Sequence, residues 1–111
     1  MLHDQILKAF RPLFEDFGFS LVAGGNQTSE TVAIAESRDL RVRFICDRAD
    51  FFVDVAKLGT TEKWTPIYDV LDELKRAGKI EDDYKYTNKM APLSRALQRH
   101  LAAVISYVNR E

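Results

Sequence analysis

Apolar residues near the start of the chain return every third or fourth position. Ile6, Leu7, Phe10, Leu13, Phe14 and Phe17 hold a helical phase over residues 3–17. Gly18 follows the last of them and suits a left-handed helix cap. Pro12 interrupts the pattern, because it removes a backbone donor and crowds the carbonyl of Lys8. The stripe keeps its phase across the proline, so a kinked helix is expected rather than two separate ones.

Over residues 19–58 the period drops to two. Phe19, Leu21 and Ala23 alternate up to a turn signal at Gly24-Gly25-Asn26. Val32 and Ile34 form a short strand with Ala33 and Ala35 on its other side. Leu40, Val42, Phe44 and Cys46 then alternate with Arg41, Arg43, Ile45 and Asp47, and Phe51, Val53 and Val55 with Phe52, Asp54 and Ala56. Short connections between four such strands predict an antiparallel meander. The last hairpin has an arguable register. A type I turn at Asp47-Arg48-Ala49-Asp50 sets Cys46 opposite Phe51, Phe44 opposite Val53 and Val42 opposite Val55. The other face then pairs Ile45 with Phe52 and Arg43 with Asp54, and a slip of one residue would mix the two faces.

The remainder reads as helical. Thr65 is a candidate N-cap with Pro66 in the first helical position. Ile67, Val70, Leu71 and Leu74 form a buried stripe that Gly78 ends. A polar connection leads to a last helix over residues 92–109, with Leu93, Leu97, Leu101, Val104 and Val108 on one side. The expectation is an α+β fold in a single domain over residues 1–111, in the order αββββαα, with helices packed on a four-stranded antiparallel sheet.

Composition narrows the class. The 111 residues are 46% hydrophobic and 30% charged, which suits a folded domain rather than a disordered chain. A net charge of -1 gives no strong overall field, which argues against nucleic acid and anionic membranes as partners. The single cysteine excludes an internal disulfide, and the longest apolar runs fall far short of a membrane span. Asp4 stands where a signal peptide would carry a basic residue, so the cytoplasm is the expected location.

No catalytic motif is present. Gly24-Gly25 lacks the remaining residues of a phosphate-binding loop, and neither G-x-S-x-G nor H-E-x-x-H occurs. Neither cofactor nor metal is expected. Cys46 reads as a buried structural thiol, His100 as a histidine at the edge of the core. Arg95 and Arg99, one turn apart on the last helix, are a pair of solvated cations rather than a binding stripe.

Two surfaces remain as candidates for a protein partner. The first interleaves acids with tyrosines: Tyr68, Asp72, Glu73, Glu81, Asp82, Asp83, Tyr84 and Tyr86. Tyrosine buries a large rigid area and keeps a polar end, and acids beside it would suit a basic partner. The second is the outer face of the sheet, with Arg41, Arg43, Ile45, Phe52 and Asp54, joined by Ala33, Ala35 and Ala56. If every helix packs on the Val42/Phe44/Val53 face, this outer face is an apolar patch framed by charges. If a helix covers it, the same residues are core, and the availability of three helices tips the expectation slightly towards coverage.

The run Phe14-Glu15-Asp16-Phe17-Gly18-Phe19, the hairpin from Leu40-Arg41-Val42-Arg43-Phe44 through Phe51-Phe52-Val53-Asp54-Val55, and Trp64-Thr65-Pro66 resemble small bacterial proteins. Among these are immunity proteins of contact-dependent and polymorphic toxin systems. The resemblance implies a compact, non-catalytic protein that neutralises a cognate toxin by occluding it, and it transfers no site residues. Inhibitors of nucleases are often acidic, so the charge of -1 argues against a nuclease target. Two other readings stay open. One is a small ligand-binding domain or enzyme in which Arg41 or Arg43 holds an anion in a sheet–helix cleft; the other is a chaperone for a secreted substrate.

Overall fold

The first apolar stripe folds as two short helices, α1 (Leu2–Ala9) and α2 (Arg11–Asp16), in a computed structural model that describes residues 2–22, 31–59, 63–82 and 84–110. Ala23, the Gly24-Gly25-Asn26 turn and Asp83 lie outside the described residues. The expected kink is a break at Phe10. Pro12 has no amide to donate, and the Leu13 amide bonds the Phe10 carbonyl at 2.9 Å. The Ala9 carbonyl instead accepts from the Ser94 hydroxyl at 2.7 Å, and Ser94 accepts from Gln98 Nε2 at 2.7 Å. A distant side chain thus satisfies a backbone group that the proline break exposes. Ile6, Phe10 and Leu13 are buried, whereas Leu7 and Phe17 stay exposed. The buried stripe is narrower than its spacing implied, because the pair of helices meets its neighbours along one line only.

Among the described residues, five strands form one antiparallel sheet in sequential order: β1 (Ser20–Leu21), β2 (Val32–Glu36), β3 (Arg41–Asp47), β4 (Asp50–Ala56) and β5 (Thr65–Pro66). The four-stranded expectation is one short. The extra strand is β5, where Thr65 pairs with Val55 and Pro66 with Asp54. Pro66 is extended, with φ -57° and ψ 139°, and serves as N-cap to α3 (Ile67–Arg76). A missing amide is harmless on an edge strand, so the proline closes the sheet and starts the helix one residue later than expected.

The β3–β4 register is the expected one throughout, from Asp47 opposite Asp50 to Arg41 opposite Ala56. Its turn is not type I. Arg48 has φ 60°, the left-handed backbone of a tight hairpin turn whose twist matches the strands. Strand β2 corrects the assignment of faces. Ala33 lies opposite Phe44 and Ala35 opposite Val42, so both alanines belong to the inner face. Val32, Ile34 and Glu36 take the outer positions beside Ile45, Arg43 and Arg41.

The last expected helix is divided at His100 into α4 (Met90–Arg99) and α5 (Leu101–Val108). A Schellman motif ends α3, with Gly78 at φ 73°, the Lys79 amide on the Leu74 carbonyl and the Gly78 amide on that of Lys75. One apolar cluster joins the helices to the inner sheet face. Phe10 meets Phe44 edge-on at 4.8 Å, and Ile67, Leu71, Leu93, Leu97 and Val104 surround Val42, Val53 and Val55. The outer-face residues Ile34 and Ala56 are buried but lie outside that cluster. The architecture is two layers, helices on one side of a sheet.

Candidate functional site

Four rows of paired residues make up the outer sheet face, the outermost being Asp47 opposite Asp50 at the β3–β4 turn. Val32, Ile45 and Phe52 form an apolar row near the β3–β4 turn. Ile34, Arg43, Asp54 and Pro66 form the next, and Glu36, Arg41 and Ala56 the last. Arg43 donates through Nε at 3.1 Å and Nη2 at 2.6 Å to Asp54 Oδ2, and Arg41 Nε sits 2.7 Å from Glu36. Trp64 crosses these rows, with the Arg41 guanidinium 5.0 Å and the Arg43 guanidinium 4.7 Å from its ring. Arg43 is thus hydrogen-bonded and stacked, whereas Arg41 Nε lies close to Glu36 without hydrogen-bond geometry, and Phe52 stays 45% exposed one row from Arg43. The apolar cluster that binds the helices to the sheet contains no residue of this face, so among the described residues the expected helical coverage has no counterpart in the core. Arg41, Asp54, Ala56 and Ile34 are nevertheless buried, with Trp64 over the arginines, and the open part of the face is the Phe52 end.

Trp64 was not a candidate on sequence grounds. It precedes a two-residue strand, too short to show alternation, and only the β4–β5 pairing brings it onto the arginines. The same geometry removes the premise of an anion held by Arg41 or Arg43 in a sheet–helix cleft. Both side chains stand on the face away from the helices and already meet carboxylates.

The acid-and-tyrosine residues do come together, but much of their chemistry is turned on itself. Tyr84 donates to Asp72 Oδ1 at 2.6 Å and Tyr86 to the other oxygen of the same carboxylate. Tyr68 shares its proton between the Lys85 and Thr87 carbonyls, at 3.0 and 3.2 Å, and accepts from the Thr87 amide at 3.0 Å. Hydrogen bonds from Tyr84 and Tyr86 hold the Asp72 carboxyl below its ordinary range, against a smaller opposing effect of desolvation. Burial, then the bond to Asp72, pushes the Tyr84 phenol well above its usual value near 10. Tyr86 rises through its own bond to Asp72, and Tyr68 through burial. Asn88 completes the fastening, its amide group 2.5 Å from Asp50 and its carbonyl accepting from the Phe51 amide at 2.9 Å. The connection read as a solvated loop is therefore tied to α3 at one end and to β4 at the other.

Glu73 pairs with Arg76 and Asp82 with Lys75, both at 3.5 Å on the surface, and Glu81 is exposed. Asp83 is outside the described residues. Cys46 is half-buried rather than buried and donates weakly to the Arg48 carbonyl at 3.6 Å. It opens onto a groove of about 590 Å³ that includes Lys8, Phe51, Lys89 and Met90. His100 is buried at the α4–α5 junction, 6.4 Å from the Tyr84 ring. A second cleft places Lys85, Arg95 and Arg99 around Tyr84, Tyr86 and His100. Among the described residues no three His, Cys, Asp or Glu side chains gather where a metal ion would sit. No helix of the described residues is long and apolar enough to cross a membrane. Comparison with protein-family models, curated proteins and solved structures returns no match to this chain.

Proposed function

We propose that the chain is a non-enzymatic binding protein that docks a protein partner on the open end of its outer sheet face. Its most concrete form is an immunity protein that occludes a cognate toxin. One observation carries the reading: the core cluster holds the helices to the inner face, leaving Phe52 45% exposed in a row with Ile45 and Val32, one row from the Arg43–Asp54 pair that Trp64 overlies. Phenylalanine, tryptophan and arginine on a rigid sheet cost little side-chain freedom when a partner covers them. The arginines are matched by Glu36 and Asp54, so the partner this face suits offers apolar side chains and hydrogen-bond acceptors rather than a strong charge.

Co-expression with the protein encoded beside it tests the proposal. The expected result is a stable complex, rescue from that protein's toxicity, and slowed amide exchange at Val32, Ile45 and Phe52. Phe52→Asp abolishes the complex while costing folding stability about 1 kcal/mol, the worth of its cross-strand pairing with Ile45. Failure to form a complex, or a complex that Phe52→Asp leaves intact, overturns it.

A further inference from the structure

The cleft beside α4 gathers three cations and the two tyrosines that Asp72 holds. It holds about 570 Å³ between the 84–87 segment and α4, within the roughly 300–1,000 Å³ of small-molecule sites. Lys85 borders it on one side, and Arg95 and Arg99 border it from successive turns of α4. No carboxylate lines it among the described residues. Three cations against the one Asp72 carboxylate behind the tyrosines leave the cleft positive enough to draw anions, even on a chain whose net charge is -1.

Tyr86 gives the site its second chemistry. Tyr86 is 67% exposed, yet its hydroxyl is tied to Asp72 and its ring meets that of Tyr68 in an edge-to-face contact at 4.9 Å. Tyr84, held by the same carboxylate at 2.6 Å, stands 6.4 Å from Tyr86. An exposed ring already fixed in orientation offers its face to a planar ligand with little further loss of side-chain freedom. We propose that this cleft binds a small planar anion of the nucleoside phosphate class, its ring stacked on Tyr86 and its phosphate set among Lys85, Arg95 and Arg99. The flat guanidinium fork matches phosphate oxygens, and stacking on tyrosine tolerates any base. The site belongs to the helical layer and stands or falls independently of the outer sheet face.

Amide-shift titration of the full, isotope-labelled chain with ADP, adenosine and inorganic phosphate tests it. ADP is expected to give saturable shifts confined to residues 84–87 and 95–100, with binding about tenfold or more tighter than adenosine or phosphate alone. Added salt weakens it. Arg95→Glu with Arg99→Glu abolishes binding, and Tyr86→Leu weakens it by roughly tenfold, the worth of one stacked base. Absence of saturable shifts at millimolar ADP, shifts centred on other cations such as Lys57 and Lys63, or phosphate binding as tightly as ADP would overturn the proposal. The wild-type map decides the question even if a variant fails to fold.

Discussion

Asp72 holds two tyrosine hydroxyls with one carboxylate, and through them fixes the 84–87 segment against α3. The bonds from Tyr84 and Tyr86 lower its folded pKa. A carboxyl shifted this way adds stability that is complete above its unfolded value, about 4, and is lost as pH falls through the folded value. The tyrosines act in the opposite sense. Their pKa values are raised in the folded chain, so their contribution is complete below about pH 10 and is lost as pH climbs beyond. Asp72→Asn keeps the shape of the side chain and removes its charge. Calorimetry should find the melting-point gap between wild type and Asp72→Asn flat from about pH 6 to 9. The gap should narrow below about pH 4 and above about pH 10. A gap unchanged in strong acid would contradict the role given to this carboxylate. The tyrosines and acids were legible as a cluster, since they crowd two neighbouring stretches of sequence. Their mutual satisfaction was not, because it depends on the segment folding back across α3.

At the scale of elements, the break at Phe10 shows what spacing alone conceals. Helical phase survives across Pro12, so periodicity favours one bent helix. The outcome turns on the Ala9 carbonyl, and a hydroxyl from α4 is available to satisfy it. Ser94→Ala should therefore destabilise the chain by about 0.5–1.5 kcal/mol, the net worth of one hydrogen bond at a half-buried carbonyl. Urea unfolding with an unchanged m-value is the check, and a loss below about 0.5 kcal/mol would refute the link. Strand phase was readable where polar and apolar residues strictly alternate. Arg41, Arg43, Asp47 and Asp54 fix the register of β3 and β4 because a slip of one residue would carry these charges onto the apolar inner face. In β2 both alternating sets are apolar, Val32 and Ile34 against Ala33 and Ala35. Alternation alone therefore does not choose between them, and the alanines expected on the outer face lie opposite Phe44 and Val42 on the inner one. A small residue there leaves room for helices to approach a sheet that already carries Phe10, Phe44 and Phe51.

For the whole molecule, the decisive asymmetry is between the two faces of the sheet. One is sealed by helices around a cluster of aliphatic and aromatic side chains, and the other carries Trp64 and paired arginines beside an exposed phenylalanine. Hydrophobic pattern defined both faces but not whether a helix would also cover the outer one, since Ile45 and Phe52 are as apolar as many core residues. A soluble paramagnetic agent added to the free protein measures that asymmetry directly by broadening NMR signals in proportion to solvent exposure. The structure predicts strong broadening of the Phe52 ring and intermediate effects at the Ile45 and Val32 methyls, with Phe44, Val53 and Ala33 untouched. Equal protection of Phe52 and Phe44 would mean that the outer face is covered, and would remove the surface on which the proposed partner docks.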